Sequence, residues 1–450
     1  METPICDFAR KYAESGSTRL HMPGHKGSGP LGCEARDLTE IEGADNLSAP
    51  AGIIAESERN ASALFGCPTY YSVEGSSLCI RAMLYLAVLH AAHLGRKPVI
   101  LAARNAHRTF LTAAVLLGFE TVWLPPSGSY LRTELSPETL RDALDALTEP
   151  PAVLWLTSPD YLGNLADIRA AAEICHERDI LLLTDAAHGA YLRFLPESLH
   201  PADLGADLCC TSGHKTLPVL TGGAYLHCAP NLPAHLAERV RTALSLFSST
   251  SPSYLILQSL DACNAELETA FPAKIRTILP KLDAVRTALT AAGWALCGGE
   301  PMKLTLLPKS RGYTGTELAE ILQKAGIYAE FADPDYLVLM PSPHNRAADL
   351  RHLTELLCAL PRRPAVTETP PPLTVPARVC TPREAMFSEA ERLPLTACMG
   401  RVCAELAVSC PPAVPVVMCG ERVDAGVMRV LEYYGIRELT VLKAGTAGSQ

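Results

Sequence analysis

No run of five or more basic residues occurs anywhere in this 450-residue sequence, whose formal net charge is −9 and whose pI is near 5.8. That balance argues against nucleic acid as the main partner. CxxC spacings and His-rich tracts are missing too, so the 16 cysteines, scattered singly apart from Cys209-Cys210, give no metal-ligand pattern. The opening METPICDFARKYAES has no signal-peptide pattern. The thiols are therefore expected to be reduced, packed as small hydrophobes in a cytoplasmic protein rather than joined in a disulfide framework. The most apolar helix-like stretch, 83–94, is broken by His90 and His93 and is too short to span a bilayer, so no membrane partner is expected. A P-loop is excluded as well, because no GxxxxGK followed by Ser or Thr occurs.

What is present is an ordinary globular composition, 48% hydrophobic and 19% charged, on a chain long enough for two or three domains. From about residue 50 to 260, apolar runs alternate with helical periodicity. The runs PVILAA (98–103), TVWLP (121–125), AVLWLT (152–157), ILLLT (180–184) and ADLCCTS (206–212) predict strands. AHRTFLTAAVLLG (106–118) and ADIRAAAEICHERD (166–179) predict helices between them. Such alternation predicts an α/β fold with a mostly parallel sheet covered on both faces, whose ligands bind at the carboxyl ends of the strands. The domains expected are an N-terminal segment (1–50), a large domain (51–265), a smaller α/β domain (266–360) and a C-terminal domain (377–450). PRRPAVTETPPPLTVP (361–376) is a proline-dense linker before the last of these.

Four constellations fall at strand ends or helix starts. In YSVEGSS (71–77), Gly75, Ser76 and Ser77 offer free N–H groups, two hydroxyls and a positive dipole end to an anion such as phosphate; an ordinary Ser N-cap is the alternative. In LLLTDAAHGAY (181–191), Asp185 closes an apolar strand and His188 follows; such a carboxylate pairs with a cationic ring nitrogen, or else caps the next turn. In RNAHRTF (104–110), His107 opens a helix, either against a flat ligand or as a surface histidine. In TSGHKTLP (211–218), Ser212, His214 and Lys215 cluster on an expected loop before LTGGAYLH (220–227) returns as a strand. A solvated lysine is the usual case. Yet one cofactor, pyridoxal 5'-phosphate, uses all four: a lysine for covalent attachment, a carboxylate for the ring nitrogen, a phosphate cup and a group against the ring.

With these blocks the chain resembles the Orn/Lys/Arg decarboxylases, pyridoxal-phosphate enzymes of the aspartate-aminotransferase-like fold (fold type I). HMPGHKG (21–27), RNAHRTF, TDAAHGAY, SGHKTLP and STSPSYLILQSLDA (249–262) follow the family's order, and MGRVCAEL with PPAVPVVMCGE (399–421) is similar to its C-terminal domain. The chain is similar to the compact form, without the long N-terminal extension. The resemblance implies that Lys215 carries the cofactor, Asp185 pairs with its ring nitrogen, His107 stacks on the ring and His188 sits beside it. It implies a phosphate cup of Ser76, Ser77, Ser212 and His214, with Ser249 or Thr250 reaching a neighbouring subunit's cofactor in a homodimer or an assembly of dimers. Glu330, in GIYAEFAD, matches a position for the substrate's distal cation, a surface carboxylate being the alternative. The implied reaction is α-decarboxylation of a basic amino acid, arginine before lysine or ornithine, in polyamine metabolism. Another fold type I reaction (aminotransferase or lyase) and a degenerate cofactor-binding protein are the rival readings. Four positions depart from the family pattern: Glu74, Ala186, Gly222 and Gly223.

Overall fold

The computed structural model describes residues 1–124, 135–372, 375–409 and 414–445. Residue 125 of the expected strand 121–125, residues 373–374 of the linker and the PPA opening PPAVPVVMCGE lie outside the described residues. The chain divides into two compact units, each discontinuous in sequence: Met1–Gly95 with Ile168–Thr277, and Arg96–Asp167 with Ile278–Gln450.

Strands β1 (Thr69–Ser72), β2 (Val99–Ala102), β3 (Glu120–Trp123), β4 (Val153–Thr157), β5 (Leu181–Asp185), β6 (Leu208–Thr211) and β7 (Ala224–Cys228) arise from the first α/β stretch. In the first unit β5 runs parallel to β6, while β7 is antiparallel to both β6 and β1. Leu182 to Asp185 and all of β6 are buried, as expected of strands with no solvent face. In the second unit β2 runs parallel to both β3 and β4. Each expected strand forms with its ends shifted by a residue or two, except that the strand expected at 220–227 begins only at Ala224.

Helix Gly75–His93 packs on β6 and β7 within the first unit. It starts well before the apolar stretch 83–94 and reaches 19 residues with a mean hydropathy of 1.4, so length and composition alone would let it cross a membrane. Its residues are 61% buried inside the protein, which is the setting of a core helix apolar on all sides. The expectation that this stretch is too short was therefore wrong in length. Every described cysteine is a free thiol; most are buried, as packing residues would be, but Cys358 is exposed and Cys6, Cys33, Cys297 and Cys380 are half-buried.

The second unit also holds β8 (Ala295–Cys297), β9 (Leu304–Leu307), β10 (Phe331–Ala332) and β11 (Leu337–Leu339), an antiparallel sheet in the order β10-β11-β9-β8. Toward the C-terminus, β12 (Ala390–Pro394) pairs with β15 (Glu438–Leu442), and β13 (Ala407–Ser409) with β14 (Pro415–Met418), both antiparallel. Their core is a cluster including Val416, Val417, Val427, Leu431 and Leu439.

Candidate active site

In the first unit the carboxyl ends of β5 and β6 lie side by side, because Asp185 is in register with Cys210. Asp185 is 2% exposed. Its Oδ1 accepts hydrogen bonds from the Ala187 N–H at 3.1 Å and the Cys210 thiol at 3.7 Å. Burial, and then the neighbouring Asp185 charge, push the Cys210 thiol well above its ordinary range, so it stays protonated and donates. Oδ2 accepts no hydrogen bond from any described residue. A buried carboxylate oxygen left in this state is ready for an N–H donor.

His188 follows on the turn after β5 and is buried. Its Nε2 lies 3.0 Å from the Nζ of Lys215. Lys215 is half-buried and sits in a single helical turn, Gly213–Thr216, where the sequence suggested a loop. Ser212 precedes that turn, is 1% exposed, and donates its hydroxyl to Ser76 Oγ at 2.9 Å. Ser76 and the half-buried Ser77 occupy the first turn of helix Gly75–His93. A Cβ placed on Gly75, at φ +72°, would meet nothing within 4 Å, so this helix start faces open space.

The glycine departures have a structural reason. Gly222 has φ +100°, and its carbonyl accepts the Gly75 N–H at 2.7 Å. A Cβ there would stand 3.0 Å from the Val73 carbonyl oxygen. The Gly223 carbonyl accepts both the backbone N–H of His214 at 3.2 Å and its Nδ1–H at 3.1 Å. Larger residues would push the helix start away from the lysine turn. Ala186 is fully buried, and its N–H donates to the Cys210 carbonyl at 2.9 Å. Glu74, the N-cap of helix Gly75–His93, makes no capping bond with its side chain. Instead its Oε1 accepts the Ser249 N–H at 2.6 Å. The carboxylate is thus committed to the segment carrying Ser249 and Thr250, both exposed.

Two expected site residues lie in the second unit. His107 is the N-cap of helix Arg108–Leu117, where its Nδ1 accepts the Thr109 N–H at 3.2 Å. That bond places the proton of the neutral ring on Nε2. Glu330 is exposed and accepts the Tyr161 hydroxyl at 3.1 Å. Burial first, and Glu330 second, raise the Tyr161 hydroxyl above its ordinary range, so it remains a donor. Sequence reasoning missed Cys210 and Tyr161. Only the Cys209-Cys210 pair at a strand end hinted at the first, and nothing at the second, 169 residues from its partner.

The first unit's residues fit pyridoxal phosphate on three counts: the half-free buried carboxylate of Asp185, the uncapped helix start beside Ser76 and Ser212, and the primary amine of Lys215 next to His188. Among the described residues no group of three or more His, Cys, Asp or Glu side chains is placed to hold a metal ion.

Family models match in the same places. The model described as Orn/Lys/Arg decarboxylase, major domain, covers residues 3–297, and the C-terminal domain model covers 365–440. The chain is 30% identical to a protein named arginine decarboxylase from Bacillus subtilis, over 93% of this chain and 91% of that one. A protein of the same name from Halalkalibacterium halodurans is also 30% identical, again over 93% and 91%. Among solved structures, the Escherichia coli constitutive lysine decarboxylase superposes with a TM-score of 0.78 at 18% identity, covering 98% of this chain and 82% of its own. Serine palmitoyltransferase from Sphingomonas wittichii superposes at 0.56 with 15% identity, covering 79% and 83%, which places the fold among the type I enzymes. The chain belongs to the Orn/Lys/Arg decarboxylase family of fold type I enzymes: it is an amino-acid decarboxylase, and that membership implies pyridoxal phosphate as its cofactor.

Proposed function

We propose that this decarboxylase converts arginine to agmatine and CO2 in the cytoplasm, as part of polyamine metabolism, and that Lys215 holds its pyridoxal phosphate. The observation that carries the site is the Lys215–His188 contact of 3.0 Å beside the half-free carboxylate of Asp185. The 30% identity to proteins named arginine decarboxylase supports the substrate.

When bound, the cofactor supplies an electron-poor ring that accepts the electron pair of the breaking Cα–carboxylate bond. Asp185, whose Oδ2 is left without a partner among the described residues, would hold the proton on the ring nitrogen and so keep the ring electron-poor. Ser76, Ser77, Ser212 and His214 bind the phosphate at the start of helix Gly75–His93, where N–H groups and the helix dipole favour an anion. His107 would be the group set against the ring, a role that the family resemblance implies. Lys215 and His188 share a proton: at 3.0 Å only one hydrogen fits between Nζ and Nε2. Once the substrate amine takes its place, Lys215 delivers a proton to the Cα that has lost CO2, and His188 replenishes it. Glu330, steadied by the Tyr161 hydroxyl, receives the distal cation. Ser249 and Thr250 reach a neighbour's cofactor in a homodimer.

The test is incubation of purified protein and pyridoxal phosphate with arginine, lysine and ornithine separately, products being identified by mass. Agmatine is expected. Cadaverine or putrescine without agmatine would overturn the substrate, and no amine from any of the three would overturn the reading as a whole.

A further inference from the structure

Arg104 lies three residues before His107 and is 3% exposed. Its two terminal nitrogens each stand 2.8 Å from a different oxygen of Glu421, which is 4% exposed. Two additional bonds complete the arrangement: Arg104 donates to the Val416 carbonyl at 3.2 Å, and Glu421 accepts the Met418 N–H at 2.9 Å. A bidentate pair shut away from water has one geometry, and losing either partner strands a buried charge. The far end of the same helix is also held from the C-terminal segment. Arg383 donates to the carbonyls of Val115 at 3.1 Å and Leu116 at 3.0 Å, the last turn of Arg108–Leu117. At that far end Val115 also packs with Val402, Cys419 and Leu442.

We infer that the C-terminal segment sets the position of His107 through the Arg104–Glu421 pair, making Glu421 a positioning residue for that histidine. This inference rests on the role proposed for His107. The bond from Thr109 fixes the ring relative to the helix, and the ion pair fixes the backbone that leads into that helix. Displacing either end would move the backbone that carries the His107 ring.

Glu421→Gln keeps the shape and removes the charge; Arg104→Lys keeps the charge and removes the second bond. Each is compared with Asp335→Asn, which breaks the Lys309–Asp335 contact of 2.7 Å elsewhere in the same unit. The readouts are thermal midpoint, pyridoxal phosphate Kd by absorbance titration, and visible circular dichroism of the bound cofactor. All three variants are expected to melt earlier than the parent. Only Glu421→Gln and Arg104→Lys should weaken cofactor binding, about ten-fold, and alter the dichroic band, with kcat falling more than KM rises. Should Glu421→Gln fail to fold, Arg104→Lys decides by the same readouts. Lower melting with unchanged Kd and dichroism overturns the inference and leaves the proposed function standing. A parent protein that binds no pyridoxal phosphate overturns the proposed function instead.

Discussion

At the scale of single residues, Lys215 and Asp185 separate two tasks that a loss of activity alone would merge. Borohydride treatment of the loaded enzyme should fix the cofactor onto the peptide containing SGHKTLP, and Lys215→Ala should abolish that adduct. Cofactor binding should persist in Lys215→Ala, weaker and reversible, because Ser76, Ser212 and His214 remain. Asp185→Ala should keep the adduct. Turnover should fall in both, by roughly 100-fold or more, since one loses the attaching amine and proton donor and the other the group that keeps the ring electron-poor. An adduct surviving in Lys215→Ala, located by peptide mass, would remove Lys215 from its role. The departures from the family pattern look different once their surroundings are known. Glu74 would disturb an anion at the helix start if it pointed there, but its carboxylate is taken by the Ser249 N–H. Gly222 and Gly223 carry the carbonyls that hold Gly75 and His214. None of Glu74, Gly222 and Gly223 removes a group that the proposed chemistry needs.

At the scale of elements, two turns give the units opposite responses to pH. Before β11, Asp333 is 5% exposed, and its Oδ1 accepts the N–H groups of Asp335 and Tyr336 at 2.8 and 2.6 Å. Oδ2 is buried without a hydrogen-bond partner among the described residues, and burial raises this carboxyl to about 6. An unfolded Asp titrates near ~3.9, so between roughly pH 4 and 6 the folded chain binds the extra proton and stability falls as pH rises. Asp333→Asn should stabilise the protein above pH 6 by up to roughly 2–3 kcal/mol and do nothing below pH 4, as denaturant melts at the two pH values would show. Equal melts of mutant and parent at pH 7.5 would discard this account. In the first unit the sign reverses. Burial pushes His200 down to about 4, and His227, held between Thr69 and Thr211, is pushed down also. Both stay neutral inside while the unfolded chain takes up protons, so stability is lost as pH falls from about 6.5. Elements were the most legible feature of the sequence, because continuous apolar runs announce buried strands and polar residues just past them announce a site. Asp185, His188, Ser212 and Lys215 were found in that way. Pairing was not legible. Nothing in local periodicity says that β1 lies against β7, or that the lysine turn is drawn to Gly75 through two glycine carbonyls. The start of helix Gly75–His93 was legible to within a turn, because Gly-Ser-Ser reads as the N-terminus of a helix.

At the scale of the whole molecule, the exposed Ser249 and Thr250 call for a second subunit if they serve a phosphate cup. Sedimentation of the loaded enzyme should show a dimer or a multiple of it, and an active monomer would exclude the shared cup. The domain limits expected at 51–265, 266–360 and 377–450 can be probed through the proline-dense linker 361–376. Limited proteolysis should nick it, yet the fragments should elute together under native conditions, since Arg104 and Glu421 grip across the cut. Those two residues are 317 positions apart in the chain. A ribosome working from the amino end therefore releases Arg104 long before its counter-charge exists. The first unit, whose last residue is Thr277, can close while synthesis is still under way; the second must wait with a naked guanidinium until Glu421 is made. Nascent chains arrested near residue 320 should accordingly protect 168–277 from protease and leave 96–167 open to it. Protection of both stretches at that length would mean that the second unit closes without its last strands. Birth order, on this account, gives the newly made enzyme its lysine turn first and its histidine helix last.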